Sequence, residues 1–387
     1  MTEMKTAILS DDDREKVDKL RKLVQYDLTR YYDTDFNLLR WIQGFSENIE
    51  ETGVKLRAHL KARASTWKLD EMSKAPREHP IHRHWRYGIT GLSGVLENVV
   101  VNIEQCGRTD YWGMLQTHSI IEILRARIPD LENMLYHVME VEKKTGKQAS
   151  ILFVMDLTEL KYDTRLYQLV VGPLKCLAEF MSEHYVELIK FFVLVNAPSF
   201  VYALWTIVKP LLPEKTKNKV RILSSSNWKN EILEYACAES LPDIWNSPDE
   251  PKLFTAKVSP PIKYPENNYW NAKSIKDPKN LQKLRIAAGK KLFLTGKMRK
   301  NDVLNFWICA NIDMGFGIFR TDEELEEDIS KMETIYPLFG WIPGPTLVPL
   351  EDSITIPKSG FYKIIISNEK AWWNTLLIDC KFSEAFQ

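Results

Sequence analysis

The search for residues that could do covalent chemistry comes back mostly empty. No GxxxxGK[ST] run is present, because Gly146-Lys147 and Gly289-Lys290 lack the upstream glycine a phosphate-cradling loop needs. Gly91-Leu92-Ser93-Gly94 is one residue short of a nucleophile elbow. No HExxH occurs; His79, His82 and His84 form a cluster, but it sits in a proline-rich connection with only Glu78 beside it, so we expect no metal there. Asp156 closes an apolar strand, the place where α/β proteins gather catalytic groups, yet a turn cap is the simpler role. The five cysteines (106, 176, 237, 309, 380) are scattered and odd in number, which argues for reduced thiols rather than a disulfide or zinc framework. We expect no catalytic residue, no metal and no cofactor.

Composition narrows the class further. The chain has 387 residues, long enough for about two or three domains. Its 52 basic and 52 acidic side chains cancel, so bulk nucleic-acid binding, which needs a net basic surface, is not expected. The N-terminal residues show no apolar signal region, which leads us to expect a cytoplasmic protein.

The segment that stands out is Phe191–Val208, FFVLVNAPSFVYALWTIV. Its length approaches that of a membrane span, but Asn196-Ala197-Pro198-Ser199 interrupts it. We read a buried strand over Phe191–Val195 and an apolar helix over Ser199–Val208. In that helix Phe200, Val201, Leu204, Trp205 and Val208, with Tyr202, Ala203 and Ile207, leave no polar face. Such a helix is buried, lies in lipid, or closes an apolar cavity. Leu211-Leu212-Pro213 extends the apolar patch.

The elements around this helix fall into three groups. Ser10 with Asp13 caps a first helix striped by Val17, Leu20, Leu23, Val24 and Leu28. Two further helices, near Asp35–Gly44 and Ile49–Leu69, complete an all-helical unit over residues 1–75. Strands and helices then alternate over 76–250. We expect strands at Val99–Ile103, Ser150–Met155, Phe191–Val195 and Val220–Leu223. Between and after them come helices at Tyr111–Arg127, Leu131–Lys144, Leu166–Leu188, Ser199–Val208 and Asn230–Ala238. Continuous apolar strands between helices imply a largely parallel, covered sheet. Prolines 242 to 265 read as a linker. Residues 251–387 then carry short strands, at Lys290–Gly296, Val303–Ala310, Gly317–Arg320, Asp352–Ile356, Gly360–Ser367 and Leu376–Phe382, in the pattern of an antiparallel sandwich. The acidic run Glu323–Asp328 reads as a solvated loop or short helix.

Several motifs, in this order, resemble the CRAL-TRIO lipid-binding family. They are Asp35-Phe36-Asn37-Leu38-Leu39-Arg40-Trp41, Leu152–Asp156, Val193–Pro198 (VLVNAP), Lys209-Pro210-Leu211-Leu212, Val220–Leu223 and Asn227-Trp228-Lys229. Asp313–Phe319 (DMGFGIF) and Gly360-Phe361-Tyr362-Lys363 are similar to strands of a GOLD domain, and the order of the units is that of the tocopherol-associated or supernatant-protein-factor type. The resemblance implies a multidomain chain: an N-terminal helical unit, an α/β lipid-binding domain and a C-terminal all-β GOLD sandwich. It implies a non-enzymatic protein that binds and transfers or presents a hydrophobic lipid, phosphatidylinositol favoured, behind a gate helix near Ser199–Lys217. The family's headgroup glutamate and lysine fall on Glu187 and Lys209. A transient, peripheral contact with a membrane surface and a protein partner for the GOLD unit follow from the same resemblance. The alternative is a lipid-sensing adaptor in small-GTPase signalling or membrane trafficking. Two departures stand out: Leu241–Ser247 lacks the usual glycine pair, and Ser93–Val99 replaces the usual approach to the first strand.

Overall fold

The computed structural model describes residues 6–45, 48–86, 88–212, 214–249, 251–273 and 277–386. Helices α1 (Asp11–Val24), α2 (Asp35–Gly44) and α3 (Ile49–Arg63) form the N-terminal unit, followed by the short turns α4 (Leu69–Met72) and α5 (Ile81–His84). Each of the three helices starts on a side-chain cap: Ser10 accepts from the Asp13 amide, Thr34 from Asn37, and Asn48 from Glu50 and Glu51. Leu20, Leu38, Trp41, Leu56 and Leu60 are buried between them.

The central sheet runs β1 (Ile89–Leu92), β2 (Val99–Glu104), β3 (Ser150–Asp156), β4 (Ile189–Val195) and β5 (Val220–Ile222), in that spatial order. β2 to β5 pair in parallel, and β1 adds an antiparallel edge. The crossovers are helices: α6 (Tyr111–Thr117) and α7 (Ile120–Thr145); α8 (Arg165–Leu169) and α9 (Lys175–His184); then α10 (Ser199–Val208) and the turn α11 (Glu214–Lys217). A last short helix, α12 (Trp228–Glu231), follows β5.

Three expectations are corrected here. Tyr111–Arg127 and Leu131–Lys144 are not two helices divided near residue 129. The break falls at His118-Ser119, and α7 runs unbroken through Pro129. Ile128 and Leu131 are fully buried on either side, and the packing they gain outweighs the one backbone bond proline deletes. Leu166–Leu188 is not one α-helix: Val170–Leu174 forms a π-turn between α8 and α9, centred on Gly172-Pro173, and the helix stops at His184. The helix expected over Asn230–Ala238 is reduced to α12 and a 3-10 turn over Ile232–Glu234.

Residues 242–265 are not a free linker either. Trp245 and Phe254 are buried against the sheet with Trp228, Asn246 bonds both amides of Leu253 and Phe254, and Tyr264 stacks on His84 at 3.6 Å. The segment is a strap across the α/β unit.

The C-terminal unit contains two four-stranded antiparallel sheets. Its strands are β6 (Gln282–Ile286), β7 (Lys291–Met298), β8 (Val303–Ala310), β9 (Met314–Thr321), β10 (Glu333–Ile342), β11 (Leu350–Thr355), β12 (Gly360–Ser367) and β13 (Leu376–Phe382). One sheet is ordered β10-β9-β12-β7, the other β11-β8-β13-β6. Both β6 and β10 escaped the sequence reading. β10 is an edge strand carrying Pro337, and its register slips between Tyr336 and Phe339, where a proline is tolerated. The three units share one apolar core: Trp67 meets Tyr336 edge-on at 5.0 Å and Phe180 stacks on Phe339 at 5.9 Å.

Candidate functional site

The site is built on one face of the central sheet. Strand alternation points Phe153, Met155, Phe192, Leu194, Val220 and Ile222 to the same side, and the register sets them in rows: Phe153 beside Phe192 and Val220, Met155 beside Leu194 and Ile222. Phe153 is buried, but the other five are only half-buried. Five adjacent apolar side chains left partly open on a sheet are an unfinished core.

Helix α10 stands over the Leu194–Ile222 end of this floor. The chain leaves β4 through Asn196, in the left-handed region at φ +52°, and Asn196 donates to Thr158 Oγ1 at 2.9 Å. Thr158 in turn donates its amide and hydroxyl to Asp156 Oδ1, while Trp245 Nε1 donates to Asp156 Oδ2 at 2.9 Å. Asp156 is therefore a buried structural acceptor that fixes where α10 begins. The helix is held down by few contacts. Val201 is buried among Leu157 and Ala197, Phe200 packs beside them, and the Tyr202 hydroxyl donates to Leu223 O at 2.9 Å. Leu204, Trp205 and Val208 are half-buried yet, among the described residues, belong to none of the packed apolar clusters. Tyr202 and Ile207 are exposed, 40% and 54%. The expectation of an all-round apolar helix with a use other than core packing thus meets a loosely seated helix. Of the apolar extension beyond it, Pro213 lies outside the described residues.

The α8–α9 segment contributes a second apolar bank. Leu166, Leu174, Leu177 and Met181 are half-buried against the core, and Val170, Val171 and Pro173 are half-buried in the π-turn between. The C-terminal unit braces this bank: the Cys176 thiol donates to Trp341 O at 3.3 Å, Lys175 Nζ lies 4.7 Å from the Trp341 ring centre, and Lys370 pairs with Glu179 at 3.9 Å.

A charged pair sits at the mouth of β4. Glu187 Oε2 accepts from Lys219 Nζ at 2.7 Å, with both side chains about a quarter exposed. Glu187 is in the left-handed region at φ +51°, on the tight turn between α9 and β4. That turn approaches α2 so closely that a Cβ on Gly44 would come within 2.2 Å of Val186 Cγ1. Lys215 closes the same corner, donating to the carbonyls of Gln43 and Gly44 at 3.0 Å each, at the negative end of the α2 dipole. Lys209 is exposed at the end of α10 and makes no ion pair with Glu187. The family resemblance places the headgroup lysine on Lys209, whereas the residue that faces Glu187 is Lys219, brought across by the long-range pairing of β5 with β4.

The histidines settle differently. His79, His118 and Glu122, not His79, His82 and His84, converge, with ligand atoms within 4.8 Å of one another. The Ile81 amide donates to His79 Nδ1 at 3.2 Å, which leaves the proton on Nε2, directed at Glu122 Oε1 3.0 Å away. His118 Nδ1 donates to the same oxygen at 2.7 Å. Hydrogen bonding accounts for all three groups. A separate groove of about 830 Å³ opens between the N-terminal helices and the sandwich, but it is crossed by the Arg125–Asp352 pair and lined by mixed charges. Among the described residues, no helix is long and apolar enough to cross a membrane.

The CRAL/TRIO domain family model matches residues 97–246, the part of the chain that holds the mostly parallel sheet and α10. The chain is homologous to CRAL-TRIO proteins. The model described as "F28H7_8_C:-like, C-terminal domain" matches residues 268–385, and a domain of unknown function, DUF8435, matches 9–72. The chain is 28% identical over 368 residues to the CRAL-TRIO domain-containing protein F28H7.8 of Caenorhabditis elegans, covering 92% of this chain and 86% of that one. It is 26% identical over 166 residues to the phosphatidylinositol/phosphatidylcholine transfer protein SFH4 of Arabidopsis thaliana; the match spans 41% of this chain and only 26% of the plant protein. A solved structure, the crystal structure of Sfh5, aligns with a TM-score of 0.46 at 14% identity, over 66% of this chain and 95% of that one.

Proposed function

We propose that the chain binds a hydrophobic lipid on the floor of β3–β5 under α10, and transfers or presents it without covalent chemistry. The observation that carries this reading is the state of Leu204, Trp205 and Val208: half-buried, apolar, and packed into none of the cores, over a floor that is itself half-open. A lipid chain laid there keeps the burial, about 0.8 kcal/mol per CH₂, that it would lose in water, so the trough can hold in solution a lipid taken from a bilayer. Since α10 is seated mainly by Val201, Phe200 and one tyrosine hydroxyl, it can swing out at modest cost and return.

Phosphatidylinositol is the favoured lipid. Glu187 and Lys219 form a polar corner beside the floor, where an ammonium can pair with the phosphate and a carboxylate can accept from inositol hydroxyls. The plant relative is named as a phosphatidylinositol/phosphatidylcholine transfer protein, which agrees with that choice. Lys209, at the exposed end of the gate, meets bilayer phosphates when the gate opens. We divide the chain at residues 75 and 250, and read the sandwich as GOLD-like, with the DMGFGIF run leading into and along β9 at the inside of its sheet. The protein works in the cytoplasm, at membrane surfaces it visits.

The test is mass spectrometry of lipid extracted from the purified protein, with vesicle-to-vesicle transfer of the lipid found. Stoichiometric phosphatidylinositol, lost in Lys219→Ala, is the expected result. A neutral isoprenoid would discard the headgroup corner and keep the trough. A chain that stays empty after incubation with mixed vesicles would overturn the reading and favour a lipid-independent adaptor.

A further inference from the structure

The loop between β12 and β13 presents two adjacent tryptophans to water. Trp372 is 86% exposed and Trp373 82%, with their ring centres 6.4 Å apart. Exposed indoles side by side are unusual, because each forgoes a large apolar burial. Nothing about the loop suggests that it is merely loose. Asn368, almost fully buried, donates through Nδ2 to Ile286 O at 3.0 Å and to Asn374 O at 2.9 Å, clamping both ends of the loop to the neighbouring hairpin. The Asn368 amide also donates to Lys290 O at 2.8 Å, and the Gly289 amide to Asn368 O at 3.0 Å. The indoles are thus held out on a fixed support.

Three lysines lie around the loop, two of them paired with acids. The clamp sets Lys290, in the β6–β7 turn, and Lys291, the first residue of β7, beside the loop, and Lys370 is on the loop itself. Glu369 is the loop's own acid, 3.5 Å from Lys291. Lys370 also reaches Glu179 of α9, so the tip adjoins the helix that forms one bank of the lipid trough.

We propose that Trp372 and Trp373 are the membrane anchor of the C-terminal unit, seated in the headgroup layer of an anionic bilayer with Lys290, Lys291 and Lys370 on the lipid phosphates. Indole suits that layer because its apolar body takes the acyl boundary while its N–H keeps a polar partner. Lysines beside it add attraction that weakens with salt. The rigid support means the loop loses little entropy on insertion. The anchor would bring the trough to the membrane and hold it there while α10 opens. It goes beyond the lipid-binding reading and stands or falls separately from it.

The experiment is co-sedimentation of the full chain with vesicles of phosphatidylcholine, alone and doped with phosphatidylserine. We expect binding that rises with phosphatidylserine and falls with salt. Trp372→Ala with Trp373→Ala should weaken it about tenfold or more on the doped vesicles, given the area two indoles bury, with the thermal transition unchanged. Lys290→Glu with Lys291→Glu should remove most of the salt-sensitive part. Lipid loading from detergent micelles, measured in parallel, should be equal in wild type and the tryptophan variant. An empty trough with intact vesicle binding would sink the lipid reading alone. Equal vesicle binding by wild type and the tryptophan variant would overturn the anchor. So would a wild type that binds neither vesicle, and the pair would then be assigned to a protein partner.

Discussion

Glu187 and Lys219 meet at 2.7 Å, although they lie 32 positions apart in the chain, on opposite sides of α10. The pair closes the α10–α11 crossover where β5 begins, so any displacement of α10 acts next to it. Partly exposed pairs of this kind contribute about 0–1 kcal/mol. Lys219→Ala and Glu187→Ala are therefore expected to leave the melting temperature nearly unchanged while lowering phosphatidylinositol loading about tenfold, the loss of roughly one charge-assisted contact. Lys209→Ala should leave equilibrium loading intact and slow exchange. Mass spectrometry of the loaded lipid, beside a transfer assay, separates the three variants; loading that depends on Lys209 and not on Lys219 would reverse their roles.

Trp205→Asp tests the gate. Trp205 belongs to no packed cluster, so the exchange of an indole for a carboxylate should cost the fold about 0.5 kcal/mol or less. Against a lipid chain or a bilayer core the same carboxylate is penalised by about 3 kcal/mol, and exchange should slow at least tenfold. Val201→Asp, buried in the small cluster that seats the helix, should instead destabilise measurably. If both variants exchange lipid at the wild-type rate, α10 is not the gate.

Acid should loosen the N-terminal helices from α9. His59 of α3 and His184 of α9 share a hydrogen bond at 2.9 Å between their Nδ1 atoms, so one ring donates and the other accepts. Burial holds both below the usual histidine value, His184 down to about 4, and the nearby Arg63 guanidinium acts in the same direction. Tyr32, Trp41 and Phe180 complete the enclosure. Both rings are neutral in the folded chain, while the unfolded chain takes up protons below about pH 6.5. Stability is thus complete above that pH and falls as pH drops toward 4, by about 3 kcal/mol for His184 alone. Urea titrations at pH 7 and pH 5 measure the loss, and His59→Leu with His184→Leu should flatten it. An unchanged pH slope in that double variant would assign the acid sensitivity elsewhere.

Much of the fold could be read from local pattern, for physical reasons that name the exceptions. α2, α10, β8, β12 and β13 were placed to the residue, because caps, turns and an uninterrupted apolar period coincide at their ends. The failures lie where tertiary contact overrides local chemistry. Pro129 is carried through α7 by the buried residues around it. Pro337 sits in β10 because an edge strand has hydrogen bonds to spare. The strap over 242–265 is proline-rich like a linker, but Trp245 and Phe254 hold it to the sheet. At the site, Glu187 follows only from the family resemblance, not from any local pattern. Its partner lysine follows from neither, since the pairing of β4 with β5 that brings Lys219 across is a long-range event no local window contains.

Arg63 and Glu132 join the N-terminal unit to α7 in a fully buried fork, Nη1 to Oε1 and Nη2 to Oε2 at 2.8 Å each. Tyr185, two residues before Glu187, donates its hydroxyl to the same carboxylate at 2.8 Å, and Arg63 Nε donates to Asp70 at 2.7 Å. Removing one partner leaves a buried charge without its counterion, so Glu132→Ala should cost about 3–5 kcal/mol. Replacing both, as in Arg63→Met with Glu132→Leu, removes the fork's two charges together and should recover part of that loss, while Asp70 loses its guanidinium and the Tyr185 hydroxyl its acceptor. The turn at Tyr185–Glu187 hangs from this carboxylate, so the doubly replaced chain, though folded, should load lipid less selectively. Chemical denaturation gives the stabilities and mass spectrometry the lipid. A double variant as unstable as Glu132→Ala would mean that the fork is needed for packing as well as for charge, and wild-type selectivity in a stable double variant would detach the headgroup corner from it.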